Sequence, residues 1–342
     1  MKSWRISSTR KARSKPAAVL LILFVLALTS ALLSLGLGTV FISPADVLKA
    51  LFTGERDLVT GQIFLYVRLP RTCGALLAGT ALAVSGAVIQ SVLANPLAAP
   101  NIIGVNAGAG FATALCCAIA PHALVLTPVA AFLGALAGVT LVLFIAERTG
   151  AARITLVLAG AAVSAMFSAG VDAVLTFFPN SLNGYSDFRI GGLSNLTMDR
   201  IIPAFWVVLA AFLALLSLSG EMDVLSPGLD TAQSLGLSAR PLRMLLLALA
   251  AALAGAAVSF AGLLGFVGLL VPHMIRRLVV EDSLPLLLGC AMGGAALLTF
   301  CDLLARLIFA PYELPVGIVL SLTGGPFFIW LLLGQRGGRI HD

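Results

Sequence analysis

Charge is scarce in this sequence. Only 11% of its 342 residues are charged, whereas soluble domains hold about a quarter. With 60% hydrophobic residues and a mean hydropathy of +1.07, the composition excludes a soluble globular protein and predicts a chain that crosses a membrane many times. The apolar runs are longer than the strands of a membrane barrel, so we predict an all-α bundle whose spans satisfy their own backbone hydrogen bonds.

Lysine is confined to the first 50 residues, where Lys2, Lys11, Lys15 and Lys49 lie. A Schiff-base lysine inside the bundle is therefore excluded. The sequence also has no G-x-x-x-x-G-K-[ST] motif, which excludes ATP hydrolysis through a P-loop of this chain.

Histidine and cysteine are too sparse for a metal or redox centre. The three histidines are far apart and have no second histidine at helical spacing, so we expect no histidine-built metal site, and for His273 a structural or capping role. The cysteines form no C-x-x-C pair and are expected to be small buried hydrophobes: Cys73, Cys116, Cys117, Cys290 and Cys301. Paired catalytic carboxylates and a Ser/Lys dyad are also missing, which disfavours an intramembrane enzyme.

Nine long apolar runs follow one another along the chain: 17–40, 72–94, 101–120, 126–146, 155–178, 201–219, 242–280, 284–305 and 314–334. As a single helix, the run 242–280 would be about 58 Å long, which exceeds a bilayer core of about 30 Å. It must fold back, and the glycine-rich stretch 259–268 is the predicted reversal. The sequence therefore predicts ten transmembrane helices.

Basic residues indicate the orientation of the bundle. The segment 1–16 holds six basic residues and no acid, as expected for a cytoplasmic tail near anionic lipid rather than a nucleic-acid arm. With the N-terminus inside, 14 of the 21 basic residues lie on the inner side, which predicts cytoplasmic termini. The apolar run after the tail is too long for a signal peptide. We thus predict a tail (1–16), a ten-helix domain (17–335) and a C-terminal tail (336–342).

Some charged residues nevertheless lie close to the spans. "RLPR" (68–71) falls on the predicted outer side, where its arginines either snorkel to the interface or offer a docking point for acidic groups of a partner. Asp302 and Arg306 are four residues apart on the ninth predicted helix and can pair. Asp172, in the outer half of the fifth, is a functional candidate or faces a wet vestibule.

The longest predicted inner loop, 220–243, contains a candidate contact helix. Asp230 is predicted to cap a short helix through Leu235, and Gly236 to close it. Ala232 and Leu235 fall on one face of that helix. It either inserts into a groove on a cytoplasmic partner or packs on its own bundle.

Several ordered motifs are similar to those of one known family. They are "RLPR" (68–71), "AGTALAVSGAVIQ" (78–90), "NPLAAPNIIGVNAGAG" (95–110), "LSPGLDTAQSLGL" (225–237), "GFVGLLVPH" (265–273), "DLLARLIFAPYELPVGIV" (302–319) and "GGPFFIWLLL" (324–333). On these motifs the chain resembles the FecCD-type permeases of ABC importers, which carry iron-siderophores, haem and cobalamin across the bacterial inner membrane. The resemblance covers about residues 60–335.

The resemblance implies a type II importer permease with ten helices that works as a homodimer in the inner membrane. Two cytoplasmic ATPase subunits would bind ATP and magnesium, and a periplasmic or lipoprotein binding protein would deliver the substrate. The chain itself would bind no cofactor, metal or nucleic acid. An iron chelate is the expected cargo, with haem or cobalamin as alternatives. An ion-coupled secondary transporter is the alternative from a different class.

The resemblance also assigns roles to residues. The arginines expected to dock the binding protein are Arg68, Arg71 and Arg306. The residues expected to couple to the ATPase are Asp230, Thr231, Ala232, Leu235, Gly236 and Leu237. The expected cytoplasmic gate consists of Asn95, Pro96 and Leu97 together with Arg153, Ile154 and Thr155.

Four positions depart from the family pattern. Ala94 stands where an arginine often precedes "NPLA", and "GLLG" (262–265) replaces the usual Gly-Pro-Ile-Gly. Leu229 occupies a position where an acid is common, and "RIGGL" (189–193) lacks the tryptophan often found in the outer loop. These departures bear on the contacts with the ATPase and on the substrate, not on the class of protein.

Overall fold

The computed structural model describes residues 16–38, 59–149, 153–226, 228–279 and 282–335. Apart from Pro16, both predicted tails lie outside these ranges. Within them the chain forms no strand, which confirms the all-α class. The helices are α1 Pro16–Gly36, α2 Val59–Ile63, α3 Leu69–Leu93, α4 Val105–Ile119, α5 Thr127–Arg148, α6 Arg153–Phe177, α7 Leu182–Ile190, α8 Met198–Ser217, α9 Ser219–Leu225, α10 Leu229–Ser234, α11 Ala239–Ala261, α12 Val267–Leu278, α13 Ser283–Leu307 and α14 Val316–Gln335.

Seven helical segments in the described ranges are long and apolar enough to cross a bilayer. They comprise α1, α5, α6, α8, α11, α13 and a continuous segment that ends with α3. Helices α4 and α12 have 15 and 12 residues, fewer than the roughly 20 that a bilayer core requires. The count of ten spans therefore stays a prediction.

The segment that ends with α3 begins earlier than its apolar run indicates. Helical structure is continuous over Gly61–Leu93, and a π-helical turn over Phe64–Arg68 leads into α3. "RLPR" thus lies within the helix, whereas the sequence placed it ahead of the span. Pro70 lies in the first turn of α3, directly after the π-helical turn, so its missing N–H falls where the pattern of helical hydrogen bonds already changes.

The predicted reversal after residue 259 is confirmed. Helix α11 ends at Ala261 and α12 begins at Val267. Gly262 has φ +72° in the turn between them, a conformation that side chains with a Cβ rarely adopt. Phe266 also has a positive φ, +66°, so the chain holds one strained non-glycine residue at the start of α12.

Helix α3 lies at the centre of the bundle, between α11, α12 and α13. Small residues make this possible, since a Cβ built on Gly79 would lie 2.2 Å from the carbonyl oxygen of Gly294 on α13. In lipid no hydrophobic force drives helices together, so they associate through close backbone packing of this kind. We call the end of the bundle where α3 begins the upper end, and the end where it finishes the lower end.

Polar contacts fasten α12 to the lower half of α3. Pro272 has no N–H, so the carbonyl of Gly268 one turn earlier lacks its helical donor. The buried Gln90 amide donates a hydrogen bond to that oxygen over 3.4 Å. Arg276 donates to the Ser91 hydroxyl over 2.7 Å. These hydrogen bonds hold α12 in a fixed position against the lower half of α3.

We expect Gly79→Ala to destabilise the bundle, because its methyl group would overlap the backbone of α13. Overpacking of this kind costs about 1–3 kcal/mol. Thermal unfolding of the purified chain in detergent measures the effect. The control is Gly220→Ala in α9, where no atom of the described residues lies within 4 Å of the new methyl group. Equal melting temperatures for the two variants would contradict the central position of α3.

Candidate functional site

A buried charge cluster lies at the upper end of the bundle. It joins Arg71, in the first turn of α3, to Asp302 and Arg306, near the end of α13. The two helices run antiparallel, so the beginning of one meets the end of the other. Asp302 is 0% exposed and each arginine 3%.

The Asp302 carboxylate forms ion pairs with two guanidinium groups, and Arg306 Nε also donates a hydrogen bond to the Asp302 backbone carbonyl over 3.4 Å. Arg71 Nε lies 3.1 Å and 3.0 Å from the two carboxylate oxygens, and Arg306 Nε lies 3.3 Å from Oδ2. The Asp302–Arg306 contact confirms the predicted pairing four residues apart. Arg71 also donates from Nη1 to Glu313, which lies between α13 and α14. These contacts offset the cost of burying the charges, which is several kcal/mol for an unpaired ion.

Helix α1 supplies the remaining acceptors. It ends at Gly36, so its last carbonyls lack helical donors. Arg68 Nη1 donates to the Leu35 carbonyl over 3.1 Å. Arg306 Nη2 donates to the Ser34 hydroxyl over 2.6 Å, and that hydroxyl lies 2.8 Å from the hydroxyl of Thr72. Guanidinium groups at a helix C-terminus also interact favourably with its dipole.

The structure thus brings together the three arginines that the resemblance assigned to docking. It does not present them on a surface, since Arg68, Arg71 and Arg306 are each less than 5% exposed. The sequence missed two members of the cluster. Ser34 carries no signal in an apolar run, and Glu313 stands in a connecting segment, 242 residues from its partner.

The predicted contact helix is present as α10, with one correction. It begins at Leu229 with Gly228 as its N-cap, so the prediction that Asp230 caps it is wrong. Gly228 has φ +138°, and the helix begins two residues earlier than a cap at Asp230 would place it. The predicted closure is confirmed, because Gly236 has φ +84° and its N–H donates to the Gln233 carbonyl.

The apolar residues of α10 differ in exposure. Ala232 is fully buried, whereas Leu235 is 69% exposed. The sequence placed both on one face. The difference arises because Leu235 is the C-cap and lies beyond the last helical residue, Ser234. Thr231 and the glycine that closes the helix are exposed, and Leu237 is half-buried.

The first predicted gate segment follows α3 at the lower end. Ala94 ends the helix in a left-handed conformation with φ +43°. The Asn95 side-chain oxygen then accepts the Leu97 N–H over 2.9 Å, which fixes a tight turn. Pro96 and Leu97 line a small apolar pocket against α12 and α14.

Seven further residues complete this pocket, and of these the sequence singled out His273 alone. They are Phe266, Leu269, Leu270 and His273 before and within α12, and Gly324, Phe327 and Phe328 on α14. In the sequence, the "GGPFF" run on α14 is the feature that could have indicated this pocket. His273 Nε2 is buried and has no hydrogen-bond partner in the described ranges, so the predicted capping contact is not formed by this atom.

The second predicted gate segment opens α6, which begins at Arg153. Ile154 is 71% exposed and Thr155 half-buried. These residues do not line the small apolar pocket. The gating role of both segments therefore stays a prediction.

Comparison with known proteins gives consistent matches. A profile described as the FecCD transport family matches residues 20–334. The Fe(3+)-citrate import system permease protein YfmE of Bacillus subtilis (strain 168) is 35% identical, with 96% of this chain and 98% of the relative covered. The hemin transport system permease protein HmuU of Yersinia pestis is 36% identical, with the same coverage.

A cobalamin permease and a solved structure match as well. The vitamin B12 import system permease protein BtuC of Escherichia coli O9:H4 (strain HS) is 38% identical, over 93% of this chain and 95% of the relative. The solved structure is described as an inward-facing conformation of a metal-chelate type ABC transporter. It aligns with a TM-score of 0.83 and 30% identity, over 93% of this chain and 99% of that chain.

We expect Asp302→Asn to destabilise the chain by about 3–5 kcal/mol, because it leaves buried guanidinium groups without their shared counter-ion. Denaturant or thermal unfolding in detergent measures the loss. Asp172→Asn is the matched control, since Asp172 is an exposed aspartate on α6. A loss for Asp302→Asn no larger than that of the control would show that the cluster does not hold the upper end together.

Proposed function

Because the chain belongs to the FecCD transport family, we propose that it is the membrane permease subunit of an ABC importer that carries an iron chelate into the cytoplasm. The match of the family profile over residues 20–334 carries the proposal. Two of the three curated relatives named above are permeases for iron-containing cargo, Fe(3+)-citrate and hemin. The third, a vitamin B12 permease, keeps cobalamin as an alternative cargo.

The family consists of membrane permease subunits, and the importers to which they belong have ATPase and substrate-binding partners. We assign ATP and magnesium to two cytoplasmic ATPase subunits, which fits the lack of a P-loop motif in this chain. The substrate-binding protein, periplasmic or lipid-anchored, approaches from the other side. With both termini in the cytoplasm, the lower end faces the ATPases and the upper end faces outward, as the bias of basic residues favours.

Helix α10 is the proposed ATPase contact. Its exposed Leu235 offers an apolar anchor, while Ala232 holds the helix on the bundle. Helix α10 adjoins α9 and α11, and α11 packs on the central α3. A displacement of α10 on ATP binding therefore has a direct route into the bundle.

The upper charge cluster is the proposed base of the binding-protein site. Its arginines are buried, so we propose that they attract acidic groups of the binding protein through their electric field rather than by direct contact. Glu313 is the member that a partner can reach, because its side chain is 33% exposed while it binds Arg71. Two acids and three arginines give the cluster a net charge of about +1, which favours an acidic partner surface.

Helix α6 is the proposed contact with a second permease copy. One face of this helix is uncovered in the single chain, and Ala161, Ala165, Ala169 and Ala173 lie along it at intervals of four residues. Small residues at this spacing allow two helices to approach closely in a membrane. Cargo then passes along the axis between the two copies, between the gate segments at the lower end.

Uptake by reconstituted proteoliposomes tests the proposed function. We expect accumulation of a ferric chelate only when ATP, the cognate ATPase and the cognate binding protein are all present. Hemin and cobalamin serve as competing cargoes and identify the substrate. Uptake driven by a proton or sodium gradient, without either accessory protein, would instead establish an ion-coupled secondary transporter.

We expect Leu235→Asp to weaken assembly with the ATPase, because it places a charge on the exposed anchor of α10. Burial of a large apolar side chain is worth about 1.5–3 kcal/mol, which corresponds to a loss of affinity of about tenfold or more. Co-purification and titration with the ATPase measure this loss. Ser238→Asp, an exposed neighbour beyond the helix, is the control, and equal affinities would remove α10 from the interface.

A further inference from the structure

A groove with a volume of about 450 Å³ runs between α1, α12 and α13. Leu26 and Leu33 of α1 line one side, and Met274 and Leu278 of α12 line the other. Ala296 of α13 contributes to its floor. The volume lies within the range of about 300–1,000 Å³ that is typical of ligand sites.

The groove offers almost nothing to water. Its two hydroxyl-bearing side chains on α1 are satisfied within their own helix, since Thr29 donates to the Leu26 carbonyl over 3.0 Å and Ser30 to the Ala27 carbonyl over 2.9 Å. Apolar cavities of this kind stay dry or take up hydrocarbon. The ligand that fits is therefore a hydrocarbon chain.

The length of the groove matches one leaflet of a bilayer. It extends along α1 from Leu23 to Leu33, a rise of about 15 Å. That is half of a hydrocarbon core of about 30 Å. Both α1 and α13 qualify as spans by length and hydropathy, so the groove runs alongside acyl chains and has the same extent as one of them.

The side chains at its rim favour lipid over a second protein chain. Leu26, Leu33, Met274 and Leu278 are all large and exposed. Helix pairs in membranes are instead enriched in small residues, and in this chain a face of that kind lies on α6. We propose that the groove binds one acyl chain of a phospholipid, which fills the space between α1 and α12 as a retained structural lipid.

The retained lipid also acts on the charge cluster, separately from the proposed transport of cargo. The upper end of α1 is bonded to the charge cluster through Ser34 and Leu35. The acyl chain packs against the helix below these bonds. Lipid occupancy therefore supports the position from which α1 supplies acceptors to Arg306 and Arg68.

Native mass spectrometry of the full chain, purified in mild detergent, tests the proposal. We expect one phospholipid to stay bound to each chain after washing. Exhaustive delipidation should lower the melting temperature, and added dioleoylphosphatidylcholine should restore it. Absence of a retained lipid, or a melting temperature that does not respond to lipid, would overturn the proposal.

Two variants fill the groove from different sides. Ala296→Phe on α13 and Met274→Trp on α12 should each lose the retained lipid and the response of the melting temperature to lipid. Ala137→Phe, at an exposed position of α5 outside the groove, should keep both. Equal retention by all three would overturn the proposal, and so would cross-linking between two copies at position 274. Neither assay needs an ATPase or a binding protein, so the result is independent of the uptake experiment.

Discussion

The upper end of the bundle depends on one carboxylate. Asp302 is fully buried, and its carboxylate forms ion pairs with Arg71 and Arg306. A buried ion costs several kcal/mol unless its partners are well placed, so α3 and α13 must keep their ends at matching heights. The same constraint extends to α1, because the Leu35 carbonyl and the Ser34 hydroxyl near its end accept hydrogen bonds from Arg68 and Arg306. One buried charge thereby fixes the relative positions of three helices that are distant in sequence.

The parts of the fold that the sequence predicts well are those set by local physics. The apolar run 242–280 is too long for one bilayer span, so its length alone requires the chain to reverse between α11 and α12. Gly262 lies in that turn. Helical spacing brings Asp302 and Arg306 together without any tertiary information. The closure of α10 at Gly236 likewise depends only on the left-handed conformation that glycine favours.

The parts that the sequence did not predict depend on contacts between distant segments. Nothing local indicates that Arg71 binds an aspartate 231 residues away, so from the sequence alone an arginine beside an apolar run is predicted to be an interfacial or docking group. The N-cap of α10 was misplaced for a different reason. Asp230 is the better capping residue by type, but the backbone conformation of Gly228 starts the helix before it. The pocket at the lower end forms where α12 and α14 contact the "NPL" turn. Only the tertiary structure brings these three segments together.

The distribution of packing suggests where a permease with this fold changes shape. In the segment that ends with α3, 78% of the most apolar window is buried, against 28% for α6. Close backbone contacts and the Gln90 and Arg276 bonds make α3, α12 and α13 difficult to separate. Within one copy, helix α6 has fewer neighbours to lose than α3, and it begins at a predicted gate segment. Its uncovered face is the proposed contact with the second copy, so a movement of α6 shifts the two copies against each other. Elements with few buried contacts are the ones that open at least cost. Motion in the proposed transport cycle is therefore expected at α6 and the lower pocket, around an α3 core that keeps its shape.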